Sequence, residues 1–221
     1  MKTDTPQTIY LKDYTPPAWL VDTVDLDVSI EAGGTVVTAT QTLRRNPAVA
    51  AQPLILDGEE RETLAVSVDG REHPYLVGAG SLTLDDLPAA CTLKTVVRIQ
   101  PDDNTRLSGM YRSKDGYFTQ CEAQGFRRIT WFQDRPDVMS TYTVTLHADR
   151  ATFPVLLANG NPVASGEEAN GRHWAKWSDP FRKPSYLFAL VAGKLDVLRD
   201  TFRTASGREV QLAIYVEPGK L

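Results

Sequence analysis

Apolar and polar residues alternate with a period of two through most of this chain. Val24, Leu26, Val28 and Ile30 are separated by Asp25, Asp27 and Ser29. A period of two sends alternate side chains to opposite faces, so the segment reads as a strand with one buried and one wet face. Glu31-Ala32-Gly33-Gly34 supplies a turn, and Thr35–Leu43 is rich in Thr and Val, so a hairpin is expected there. Leu64, Val66 and Val68 alternate toward Asp69-Gly70, a short-hairpin signal. Leu93, Thr95, Val97 and Ile99 share one face. Tyr142, Val144 and Leu146 do the same against Thr141, Thr143, Thr145 and His147. Phe153–Leu157 leads into a turn at Asn159-Gly160. Tyr186–Val191 is nearly continuous in apolar residues and predicts a strand buried on both faces. Val210, Leu212, Ile214 and Val216 close the set. Helical periodicity is scarce. The best short helix candidate is Pro136–Ser140, because proline suits a first helical position.

Closely spaced strands with frequent turns predict an all-β, antiparallel architecture, a sandwich or an open curved sheet. The 221 residues are read as one β domain over 18–221, preceded by a polar, proline-bearing extension over 1–17 whose first residues are expected to be poorly ordered. A chain of this length buries well over half of its unfolded surface and needs no staples.

The formal charge of -4 comes without a basic stripe, which argues against nucleic acid as a partner. No run of eighteen apolar residues occurs, so no membrane partner is expected. The first ten residues lack the apolar core of a secretory signal. Cys91 and Cys121 are the two cysteines, and without such a signal they are expected as free thiols in a reducing cytoplasm.

Thr119–Asp137 is the densest stretch, reading T-Q-C-E-A-Q-G-F-R-R-I-T-W-F-Q-D-R-P-D. Gln120 and Glu122 sit two apart, which in an extended segment places them on one side, with Cys121 packed inward. By residue type alone, Glu122 is an ordinary surface glutamate and Gln120 a strand residue serving the backbone. Arg127, Arg128, Asp134, Arg135 and Asp137 read better as a structural network than as an anion site. Trp131, Phe132, Trp174 and Trp177 read as core or interface packing, since no basic groove accompanies them. His173 reads as a satisfied strand histidine.

This stretch resembles the aminopeptidase N family of zinc-dependent alanyl/leucyl aminopeptidases, in particular its bacterial branch. Leu157-Ala158-Asn159-Gly160-Asn161, Gly171-Arg172-His173-Trp174, Tyr186–Gly193 and Asp196–Phe202 extend the resemblance from Tyr14 to about Val216. The resemblance implies a saddle-shaped all-β N-terminal domain whose Gln-x-Glu pair, here Gln120 and Glu122, lines the substrate pocket. Glu122 would accept the peptide's α-ammonium, and a glutamate from the catalytic domain would complete the clamp. The Asp134-Arg135-Pro136 wording would fix the turn below that strand.

The family's catalytic motifs are missing. None of His73, His147 and His173 opens an H-E-x-x-H helix, and G-x-M-E-N is absent. No nucleophile–base signature such as G-x-S-x-G occurs. The chain is therefore expected to be the N-terminal domain of a longer zinc metalloaminopeptidase. By itself it would be inactive and hold no metal or other cofactor, with zinc in the full-length enzyme. Its partners would be the catalytic domain of the same chain and a peptide N-terminus. The alternative is a free-standing β-sandwich module that binds peptide or protein without catalysis. A leukotriene-type hydrolase shares the domain plan, but the Gln-Cys-Glu and Asp-Arg-Pro wording favours the bacterial aminopeptidases.

Overall fold

The computed structural model describes Thr8 and residues 10–221. The poor order expected for the first residues falls outside the described residues. Seventeen strands follow in chain order: β1 (Trp19–Glu31), β2 (Gly34–Arg45), β3 (Leu54–Asp57), β4 (Glu62–Val68), β5 (Arg71–Glu72), β6 (Leu76–Val77), β7 (Ser81–Leu84), β8 (Ala90–Ile99), β9 (Gly109–Ser113), β10 (Gly116–Gln120), β11 (Met139–Asp149), β12 (Val155–Ala158), β13 (Asn161–Glu167), β14 (Arg172–Pro184), β15 (Leu190–Gly193), β16 (Asp196–Arg203) and β17 (Glu209–Val216). Helical structure among the described residues is confined to three-residue 3-10 turns. The all-β expectation holds.

Eight strands form the main sheet, in the order β13-β14-β11-β1-β2-β8-β4-β5. Smaller sheets are β12-β15-β10-β9, β3-β7-β6 and the ribbon β16-β17. Pairings are antiparallel except that β1 runs parallel to β11. A parallel neighbour needs a long crossover, and the whole span from β2 to β10 separates these two strands.

Burial follows the sequence alternation. Val24, Leu26, Val28 and Ile30 of β1 are buried, as are Val37, Ala39 and Leu43 of β2 and Leu93, Val97 and Ile99 of β8. A bulge between Val21 and Thr23 reverses the phase of β1, so that Trp19 and Val21 also face inward. That break in alternation hides the first five residues of the strand from a periodicity search.

Three expectations fail for local reasons. Leu64 does not join Val66 and Val68 on the inner face. A bulge between Thr63 and Ala65 turns it out to solvent. Pro136–Ser140 is not a helix: Pro136 and Asp137 occupy a turn closed by Val138 N–H to the Arg135 carbonyl at 3.2 Å, and β11 begins at Met139. Tyr186–Val191 is not one doubly buried strand. A 3-10 turn takes Ser185–Leu187, and Leu187 and Ala189 are exposed. β15 starts only at Leu190, where Thr119 of β10 supplies its partner.

The segment from Phe126 to Val138 is a loop that runs through the core. Phe126, Ile129, Thr130, Trp131, Phe132, Asp134 and Val138 are all buried there. Its backbone groups therefore need internal partners. Phe132 and Asp57 exchange two backbone hydrogen bonds at 3.2 and 2.8 Å. Gln41, on the inner face of β2, donates to the Trp131 carbonyl at 2.9 Å. Gln133 donates to the Trp19 carbonyl at 3.1 Å. A polar strand residue, Gln41, is thus spent on this loop, and a polar loop residue, Gln133, ties it to β1.

Leu26, fully buried on the strand shared by β2 and β11, tests the core. Leu26→Ala is expected to lower stability by about 2–5 kcal/mol, read as a fall in the urea midpoint with an unchanged slope.

Candidate functional site

Gln120 ends β10, which is hydrogen-bonded to β9 on one side and β15 on the other. The Thr119 hydroxyl accepts from the Leu190 N–H at 2.9 Å and lies 3.3 Å from the Leu190 carbonyl. Cys121–Gly125 then forms a tight turn, closed by Gly125 N–H to the Cys121 carbonyl at 2.7 Å. A Cβ on Gly125 would stand 2.4 Å from the Gln120 carbonyl oxygen, so only glycine fits. Cys121 is 2% exposed and packs inward, as expected. Burial pushes its thiol pKa up, and the nearby Asp134 charge adds to this. Phe126, wholly buried, opens the 3-10 turn that follows.

This anchored turn holds Gln120 and Glu122 at the surface, where both are exposed. They are not two steps along one strand. The strand stops at Gln120, and Glu122 belongs to the turn, because Gly125 must tuck back beneath Gln120. The Gln120 amide reaches the Glu122 carbonyl at 3.4 Å.

Around the turn nearly every acid has a base. Asp134 is buried, and its Oδ2 accepts from the Arg127 backbone N–H at 3.2 Å and from Arg127 Nε at 3.0 Å. Asp57 accepts the Asp134 N–H at 3.0 Å and faces Arg127 at 3.8 Å. Arg128 pairs with Glu59 and Glu60. Arg135 grips Asp137 with two hydrogen bonds at 2.9 and 2.7 Å and also donates to the Thr15 carbonyl at 2.8 Å. Tyr14 adds a hydrogen bond to Asp137 at 2.9 Å. The network reading of these residues holds. Glu122 differs from its neighbours: among the described residues its carboxylate has no ion pair or side-chain hydrogen bond. A cavity of about 390 Å³ beside the turn is lined by Gln124, Arg127, Asp57 and Arg135, among others.

Sequence reasoning missed the distant members of this assembly: Tyr14, Asp57, Glu59, Glu60 and Ser185. Each meets its partner across a long chain separation, and no local pattern marks any of them.

The aromatics divide. Trp131 and Phe132 are core, while Trp174 and Trp177 are half-buried beside a groove of about 610 Å³. Trp177 donates its indole N–H to the Leu156 carbonyl at 3.2 Å. His173 donates to the Phe153 carbonyl at 2.8 Å, the satisfied strand histidine expected. His147 lies between Glu168 at 2.7 Å and Asp27 at 3.2 Å. His73 lies 2.7 Å from the Pro74 carbonyl. Among the described residues, no group of three or more His, Cys, Asp and Glu is placed to hold a metal ion. The described side chains offer no set that fits a zinc ion. No helix among the described residues is long and apolar enough to cross a membrane.

Solved structures share this architecture. The crystal structure of Legionella pneumophila aminopeptidase A in complex with aspartic acid superposes with a TM-score of 0.89 at 32% identity, covering 94% of this chain and 25% of that one. An M1 zinc metallopeptidase from Deinococcus radiodurans matches with a TM-score of 0.77 at 18% identity, a likeness of fold. The profile of the Peptidase M1 N-terminal domain matches residues 34–187, and the chain belongs to that family. Aminopeptidase N of Caulobacter vibrioides is 50% identical over 223 residues, covering 100% of this chain and 26% of the relative. Aminopeptidase N of Escherichia coli is 48% identical over 222 residues, covering 99% and 25%. The chain spans about a quarter of the length of these curated relatives.

The Arg135–Asp137–Tyr14 group makes stability pH-dependent. Burial alone would raise the Asp137 carboxyl, but hydrogen bonds from Arg135 and Tyr14 outweigh it and hold the group below its ordinary 3.8. A folded pKa below the unfolded one stabilises at pH above the unfolded value, and the gain is lost as pH falls through the folded value. The urea midpoint is therefore expected to drop as pH falls from about 5 to about 3. Asp137→Asn should lower the midpoint at neutral pH and flatten that drop.

Proposed function

We propose that this chain is the substrate-reading N-terminal domain of a zinc metalloaminopeptidase, a hydrolase that releases N-terminal residues from peptides. Gln120 and Glu122 contact the first residue of the substrate, and Glu122 accepts its α-ammonium. The observation that carries this reading is that the Glu122 carboxylate has no ion pair or side-chain hydrogen bond among the described residues. Asp57, Glu59, Glu60, Asp134 and Asp137 are each engaged by arginine, while among the described residues Glu122 has no such partner, on a turn anchored to the core.

The chemistry suits the task. An exopeptidase must tell a terminal ammonium from an internal amide. A fixed carboxylate does so because a charge-assisted hydrogen bond is roughly twice as strong as a neutral one. It also sets register, since only a chain end carries that charge. The Gln120 amide offers both donor and acceptor to the neighbouring backbone.

In this reading the catalytic domain of the same protein brings the zinc and the hydrolytic groups, and the present residues bind and orient. The support is the family membership, the two aminopeptidase N relatives and the length they extend beyond this chain. The ribbon β16-β17 points the same way. Among the described residues its two strands pair with each other and with no other strand, and it exposes Leu198, Phe202, Leu212 and Ile214. An isolated two-stranded ribbon is marginal in water, so this one suits an apolar neighbour. Two buried free thiols fit a cytoplasmic, reducing setting.

The test is aminopeptidase activity of the full-length protein with and without Glu122→Ala, with the 221-residue chain assayed alongside. The chain alone is expected to be inert. Glu122→Ala is expected to lower kcat/KM at least tenfold, or roughly 1.4 kcal/mol. A variant that matches wild type removes Glu122 from substrate recognition.

A further inference from the structure

Asp134 occupies a singular place beneath the Gln120–Glu122 turn. Its side chain is 1% exposed, and both carboxylate oxygens are occupied from different parts of the chain. Oδ2 accepts from the N–H and Nε of Arg127, in the 3-10 turn that follows Glu122. Oδ1 accepts from the Ser185 hydroxyl at 2.6 Å. Ser185 is itself buried and starts the turn that delivers Leu190 to Thr119, one residue before Gln120. The two oxygens therefore hold the segments on either side of the Gln120–Glu122 pair. The carbonyl and N–H of Asp134 add Arg127 at 3.1 Å and Asp57 at 3.0 Å.

We propose that Asp134, together with Ser185, is a positioning residue for substrate recognition: its buried carboxylate fixes the distance and orientation between Gln120 and Glu122. This rests on the reading of Glu122 as the ammonium acceptor. Asp134 touches no substrate and acts only through the turn. A carboxylate suits the place because it accepts at both oxygens and carries the charge that pairs with the donor-only Arg127. An amide of the same shape loses the charge that pairs with Arg127; its N–H₂ turned toward Arg127 sets donor against donor, and turned toward Ser185 it forces the hydroxyl to rotate and accept. A displacement of the turn of about 1 Å is enough to weaken a positioned contact by a large factor.

The experiment compares Asp134→Asn, Ser185→Ala, Glu122→Ala and the two pairwise combinations with Glu122→Ala, all in the full-length protein. The readouts are kcat, KM and the ratio of inhibition constants for an amino-acid amide and its des-amino analogue. Each positioning variant is expected to raise KM at least fivefold with kcat within twofold, and to shrink the inhibition ratio. In the Glu122→Ala background the same changes should cost no more than twofold further. A loss that multiplies with that of Glu122→Ala, or an inhibition ratio that stays at the wild-type value, overturns the positioning role. Where Asp134→Asn yields no folded protein, Ser185→Ala decides, because it removes a single hydrogen bond. Glu122→Ala without effect overturns the ammonium reading and this proposal together. Glu122→Ala with effect and silent positioning variants overturn this proposal alone.

Discussion

The rest of the domain depends on the ion pair between Arg127 and Asp134. A loop rarely runs through a protein core, because its backbone groups have no ladder to join and no water to meet. Here one does, from Phe126 to Val138, and this pair holds it closed near both ends. Removing Arg127 would leave the Asp134 carboxylate, 1% exposed, without its cation, a loss of up to about 3–5 kcal/mol. The gain is geometric more than energetic. A charged pair with several hydrogen bonds admits one arrangement, where packed hydrophobes alone would admit several.

Several polar side chains on inward-facing positions then find their purpose. Gln41, Gln133 and Ser140 look misplaced in the core until their partners are counted. Gln41 and Gln133 feed the Trp131 and Trp19 carbonyls, and Ser140 donates to the Val21 carbonyl at 2.8 Å, beside the β1 bulge. The accounting is not complete. Gln41 Oε1 and Tyr142 Oη are buried without a hydrogen-bond partner in the described structure. Lys183 stands 2.8 Å from Asp179 and 3.8 Å from the Tyr142 ring. Burial lowers its pKa, opposed by Asp179. The ring face supplies part of what water would, through attraction of a cation to π electrons.

The strands were legible because one physical rule, burial of one face, writes itself into the sequence every second residue. β2, β8 and β11 could be read this way almost to their ends, and β1 from Val24 onward. Where a bulge interrupts the rule, at Asp22 and at Leu64, reading failed, since a single extra residue reverses every later side chain. The Pro136 helix failed for a related reason. Proline at a first helical position is permitted, but the Arg135–Asp137 clamp and the start of β11 leave no room for a helix. In the site, Gln120, Glu122 and the network residues Arg127, Arg128, Asp134, Arg135 and Asp137 lie within nineteen consecutive residues, and the family resemblance drew attention to them. Asp57 and Ser185 were illegible because their meaning lies in contacts across the fold.

Cys121 lies between the two exposed residues of the turn, yet its sulfur is enclosed and stays protonated. A thiol reacts as its thiolate and only when reagent reaches it. Modification of this sulfur therefore requires the turn to lift off the core, at least briefly. The rate at which Cys121 is alkylated is a clock for that opening, set by the free energy of a local excursion and not by global unfolding. The chain carries its own gauge of how firmly the Gln120–Glu122 turn is held.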